Sequence, residues 1–102
     1  MGHEYEGHFA APLAETAVCA LFDALATDGR WRLVRRDARE LTLAYADEPH
    51  NPAWPESIVV QPSESSIYVL FHGGTDAQFR DLLDMVTRTL ESLGAACVID
   101  EL

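Results

Sequence analysis

The chain contains no lysine among its 102 residues. That excludes Schiff-base catalysis and pyridoxal phosphate attachment, and it excludes a P-loop, whose phosphate-binding motif requires that residue. Cysteine is nearly as scarce. Cys19 falls in a predicted helix and Cys97 in a predicted strand, with no CxxC or other ligand spacing, so both are expected to be buried free thiols rather than a disulfide pair. No apolar run approaches the roughly 20 residues of a bilayer span. The opening MGHEYEGHF lacks the basic start and apolar centre of a signal peptide. A soluble cytoplasmic protein with no membrane association is the expectation.

Positive charge is scarce as well: seven arginines stand against 17 acidic residues, a net charge of -10. Affinity for nucleic acid comes largely from phosphate neutralisation by Lys and Arg, so no nucleic-acid partner is expected. The arginines are unevenly placed, with Arg30, Arg32, Arg35, Arg36 and Arg39 in one ten-residue strip. Arg32 and Arg36 are expected on one face of a strand, where they protect an edge by charge or hold a carboxylate or phosphate. His3, His8, His50 and His72 show no HxH or HxxxH spacing, so no metal is assigned, and no cofactor. Asp81 and Asp84 read as a solvated helix face, and the serines have no recognisable base partner. No catalytic residue is assigned, which leaves enzymatic activity without support.

What is present is the balance of a globular domain, 48% hydrophobic and 24% charged, in a length that fits one domain, residues 1–102. YEGHF, residues 5–9, alternates as a short strand. From Pro12, suited to the first helical position, Leu13, Ala17, Leu21 and Leu25 recur every four residues beside Val18 and Phe22, and Gly29 is expected to end that helix in a left-handed cap. WRLVRRDARELTLAY reads as a hairpin of residues 31–36 and 40–45. Strands follow at 57–61 and 66–72 with PSES between them, and the second of these suits a central position. Phe79, Leu82, Leu83, Val86, Leu90 and Leu93 then form the apolar stripe of a second helix, supported by the i,i+4 pairs Asp76–Arg80 and Asp84–Arg88. Gly94 caps it and ACVIDEL returns as a strand. The order β-α-β-β-β-β-α-β predicts an α+β fold. We expect a single mixed or antiparallel sheet of about six strands with two helices on one face, ferredoxin-like or of a related split β-α-β type.

Three stretches are candidates for function. FHGGTDAQ joins a strand to the second helix. Thr75 and Gln78 make a capping box there, while His72, Gly73, Gly74 and Thr75 offer a possible anion site at a helix N-terminus, against which the Asp76 carboxylate stands. DEPHNPAWPES places Trp54 between Pro52 and Pro55, a way of holding an aromatic side chain extended, so His50 and Trp54 with Asp47 and Glu48 are candidates for binding a protein partner. The arginine strip, with Arg32 and Arg36, is the third.

In size, acidity and α+β plan the chain is similar in general character to bacterial immunity proteins. The function expected first is therefore a protein-binding module, an inhibitor whose carboxylates imitate phosphates towards a basic, nucleic-acid-directed toxin. The alternative is a small-molecule binding or enzymatic domain of dimeric ferredoxin-like type, with self-association into a homodimer.

Overall fold

In the computed structural model, which describes residues 3–48 and 56–102, the elements follow the expected order. They are β1 (His3–His8), α1 (Glu15–Thr27), β2 (Trp31–Arg36), β3 (Leu41–Tyr45), β4 (Ile58–Pro62), β5 (Ser66–Phe71), α2 (Asp76–Ser92) and β6 (Ile99–Glu101). The six strands form one open sheet in the order β2-β3-β4-β5-β1-β6, and every pairing is antiparallel. A plain β-α-β-β-α-β chain has four strands. Here β2 and β3 extend the sheet beyond β4, so α1 carries the chain from β1 to the far edge, and the next four strands return as a meander.

Register fixes which side chains meet the helices. Leu41, Val60, Val69 and Tyr5 lie level across four strands, and Leu43, Ile58, Phe71 and His3 form the neighbouring row on the same face. Against that face pack Val18, Leu21, Phe22 and Leu25 of α1 and Phe79, Leu82, Val86 and Leu90 of α2, in one hydrophobic core. β5 is central as expected, with Ile67, Val69 and Phe71 fully buried. Gly7 of β1 allows the close approach of β6: a Cβ there would lie 2.9 Å from Ile99 Cγ1 and 3.1 Å from the Val98 carbonyl oxygen. No helix among the described residues is long and apolar enough to cross a membrane.

Several expectations are corrected. α1 starts at Glu15 with Ala14 as N-cap, so Pro12 precedes the helix. Phe9 and Leu13 instead donate backbone hydrogen bonds to the Ser65 and Glu64 carbonyls, which holds residues 9–13 along the β4–β5 turn. Gly29 is not left-handed. The chain leaves α1 through an extended Asp28, whose carboxylate accepts from the Arg30 amide at 2.9 Å. Cys19 is exposed rather than buried, because it sits one position off the Val18–Leu21–Phe22 stripe; Cys97 is half-buried, and both are free. Burial pushes the Cys97 thiol pKa up. Of ACVIDEL only Ile99–Glu101 pairs as a strand, since Gly94 at φ 78° turns the chain and the Ala95 amide bonds back to Leu90.

Arg32 and Arg36 do not share a face. A bulge between Leu33 and Arg35 shifts the register, so Arg32 pairs with Ala44 on the open face and Arg36 with Leu41 on the helix face. Arg36 binds Asp23 at 2.6 Å and lies over the Phe22 ring at 5.6 Å. At the same edge Arg35 binds Asp37 and Glu40 at 3.0 and 2.9 Å.

Candidate functional site

At the end of the sheet where β3 and β5 finish, the start of α2 meets the start of β2. The capping box forms as the sequence predicts: the Gln78 amide donates to Thr75 Oγ1 at 3.2 Å, and the Thr75 amide donates to Gln78 Oε1 at 2.9 Å. Gly74 takes φ 124°, a conformation that favours glycine. A second constraint acts on it, because Tyr45 reaches across from β3 and donates its hydroxyl to the Gly73 carbonyl at 2.9 Å. A Cβ on Gly74 would collide with that hydroxyl and lie 2.9 Å from Tyr45 Cζ. Gly73 has open space around it.

These elements enclose a cleft. Its deeper part, about 290 Å³, is lined by Gly29, Arg30, Trp31, Tyr45, Ala46, Asp47, Gln78 and Asp81. A second hollow of about 300 Å³ adjoins it through Tyr45, Asp47 and Gln78 and extends to Glu48, Gly73 and Gly74. Trp31 and Tyr45 are register partners across the β2–β3 hairpin, each 5% exposed, so this wall is aromatic and rigid.

The charge of the cleft is negative on balance. Arg30 holds Asp28 through both carboxylate oxygens, each bond 3.0 Å, and its guanidinium lies 4.6 Å from the Trp31 ring centroid. The same bonds hold the Asp28 carboxyl pKa below its ordinary value. The bonds to Asp28 raise the Arg30 pKa in turn, and Asp81 also acts on that guanidinium by charge. Glu48 is fixed at two points: its carboxylate accepts from Ser57 Oγ at 2.9 Å, and its carbonyl accepts from Arg32 at 3.3 Å.

Two sequence-predicted groups therefore converge, Asp47 and Glu48 with Gly73, Gly74 and the Thr75 cap. His72 at the end of β5 donates its amide to the Ser57 carbonyl at 2.8 Å. His50 and Trp54 lie outside the described residues. Arg32 reaches the site only through the Glu48 carbonyl, and Arg36 is engaged with α1. Sequence reasoning missed Trp31, Tyr45, Gln78 as a wall residue, and Asp81. The available signal was Tyr45 itself, a core-facing tyrosine at a strand end whose hydroxyl had to find a partner. The chemistry of the walls favours a cation over an anion, because Asp47 and Glu48 stand beside Gly73 and Gly74 and Asp81 lines the adjoining hollow. Among the described residues no three His, Cys, Asp or Glu side chains gather to hold a metal.

Burial and the nearby Glu48 carboxylate push the Tyr45 hydroxyl up to about 12. The hydrogen bond that Tyr68 donates to Glu4, 2.6 Å long, does the same for Tyr68, to about 12. Both folded values lie above the unfolded value near 10. The stability they contribute is thus complete below about pH 10 and is lost as pH rises towards 12. Melting temperature is expected to fall over that interval, less steeply in Tyr45→Phe. An ultraviolet titration in which the native tyrosines ionise at their ordinary value would contradict this.

Compared with protein-family models, with curated proteins and with solved structures, the chain gives no match to any of them.

Proposed function

We propose that this chain is an acidic protein-binding module that presents the cleft and its carboxylates to a basic protein, as an inhibitor or immunity protein does to a nucleic-acid-directed toxin. The observation that carries the reading is an aromatic-walled cleft that carries the carboxylates of Asp47 and Asp81 against the single guanidinium of Arg30, itself bonded to Asp28, on a molecule of net charge -10. Carboxylates so placed steer a basic surface during approach and occupy the positions that phosphates take in its site. The test is capture on the immobilised chain from a lysate of the source cell, followed by assay of the captured protein on RNA and DNA. A basic protein is expected, retained at about 0.15 M salt and released towards about 1 M, with its nucleolytic activity suppressed by stoichiometric addition of the chain. Asp47→Asn/Glu48→Gln/Asp81→Asn should lose the capture while melting as the wild type does. Capture indifferent to salt and to those substitutions would sink the reading.

A second reading, a small-molecule binding domain of dimeric ferredoxin-like type, draws on a different place. A groove of about 520 Å³ runs between α2 and β6 over Tyr5, Phe79, Leu83 and Ile99, within the roughly 300–1,000 Å³ of ordinary ligand sites. Its rim of Asp76, Arg80, Asp84 and Glu101 is polar and open, which makes it the weaker of the two.

A further inference from the structure

We infer that copies of this chain join head to tail, the β2 edge of one continuing the sheet at the β6 edge of the next. The contact lies on the sheet edges and does not depend on what the cleft binds. Six strands paired only antiparallel leave the two edge strands, β2 and β6, running in opposite directions. A second copy set beside the first without being turned over therefore brings its β2 antiparallel to β6, with its helices on the same side. Both edges also hold apolar side chains in water. Among the described residues the exposed large hydrophobics are Leu33 (46%), Leu93 (42%), Val98 (75%) and Leu102 (68%), and all but Leu93 lie on or next to an edge strand.

One register satisfies both faces and the ladder. On β6, Leu102 donates its amide to the Glu4 carbonyl, so by alternation Asp100 also bonds to β1, while Ile99 and Glu101 turn their N–H and C=O groups outward. On β2, the Arg30 carbonyl accepts from Ala46, so Arg32 points to β3 and Leu33 outward. Leu33 and Ile99 both lie on the helix face, opposite Leu43 and Gly7 within their own chain. Setting Leu33 against Ile99 of the next copy makes a hydrogen-bonded pair and puts Arg32 against Asp100 on the open face. That ion pair meets two needs. Asp100 stands directly opposite Glu6 in its own chain, a destabilising like-charge pair, and His8 reaches Glu6 at 3.1 Å without serving Asp100. Arg32 holds only the Glu48 carbonyl, at 3.3 Å, and neither it nor Asp100 has a salt bridge among the described residues. So short a ladder makes a small contact and a weak association. Because the two surfaces differ, copies add one after another and do not stop at two.

The experiment is analytical sedimentation of the full chain at concentrations up to about 1 mM. It is run at about 0.15 M salt, where repulsion between two chains of charge -10 is screened beyond about 8 Å. Species of two, three and more copies are expected to grow with concentration. Arg32→Glu and Asp100→Arg each set like charges across the contact and should weaken it at least about tenfold. Asp100→Arg should also melt higher than the wild type, because it turns the pair with Glu6 into one of opposite charge. The double variant Arg32→Glu/Asp100→Arg should regain the association. Two proline variants then identify the edges: Leu33→Pro blocks β2 and Ile99→Pro blocks β6, since each removes an outward donor. Each alone should stay monomeric, and an equimolar mixture should stop at a dimer of one of each. If a proline variant fails to fold, the charge variants decide alone. A wild-type chain monomeric over the whole range would overturn the inference, as would single charge variants that associate like the wild type or a double that does not recover. So would self-association of either folded proline variant by itself, the mark of a twofold contact.

Discussion

Phe71→Ala is expected to cost about 3–5 kcal/mol, the range for deleting a buried phenylalanine from a packed core. Phe71 is fully buried at the end of the central strand. Its ring stacks on Phe79 of α2 at 4.3 Å between centroids and meets Tyr5 of β1 edge-on at 5.6 Å. It therefore joins the sheet to α2 where the chain leaves β5 for the junction at Gly73 and Gly74. A domain of this size holds about 5–15 kcal/mol in all, so the variant stands close to unfolding at room temperature. Urea unfolding measures the loss, and Phe71→Leu, which keeps most of the apolar contact, should lose much less. A cost for Phe71→Ala below about 1.5 kcal/mol, the level of a volume-conserving core change, would mean that the two aromatic contacts contribute little.

Gly74→Ala is expected to cost about 3 kcal/mol from two sources that add. A side chain at φ 124° carries backbone strain of roughly 1–3 kcal/mol. Displacing Tyr45, whose Cζ would stand 2.9 Å from the new Cβ, is overpacking of roughly 1–3 kcal/mol. Gly73→Ala, beside it, meets no atom within 4 Å and should move stability by less than about 1 kcal/mol, towards stabilisation if it moves at all. Thermal melts of the pair test the contrast directly. A double variant with Tyr45→Phe, which removes the hydroxyl in the way, should recover part of the Gly74→Ala loss, and that coupling separates the steric part from the backbone part. Equal effects at the two glycines would contradict the geometry. The consequence for function is local, since a displaced Tyr45 deforms the wall shared by both parts of the cleft.

The secondary structure was legible wherever local chemistry decides it. Thr75 and Gln78 announce the start of α2, and Phe79, Leu82, Val86 and Leu90 of its stripe are buried as the period demands, while Leu83 is half-buried and Leu93, the C-cap, is exposed. The hairpin of β2 and β3 was legible from alternation, but its bulge at Leu33–Arg35 was not. Nothing in WRLVRR marks the extra residue, and a one-residue slip is enough to send Arg32 and Arg36 to opposite faces. The start of α1 was misplaced because Leu13 is apolar and in phase with the stripe, while the bond that keeps it out of the helix comes from Glu64, 51 positions away. The cleft was half legible for the same reason. Asp47, Glu48, Gly73 and Gly74 stood out by type, yet their meeting depends on strand order. The Tyr45–Gly73 bond that joins them spans 28 positions without a local trace.

The placement of β6 beside β1 also decides how the molecule meets tension. Glu4 and Leu102 share a backbone bond at 2.8 Å, and from there the ladder runs inward through Tyr5–Glu101, Glu6–Asp100 and Gly7–Ile99. Force applied through residues 3 and 102 would load these pairs one after another, as in a zipper, because antiparallel ladder bonds lie across the strands. The β1–β6 ladder is therefore not placed to share a load in shear, and β6 parts from β1 one bonded pair at a time.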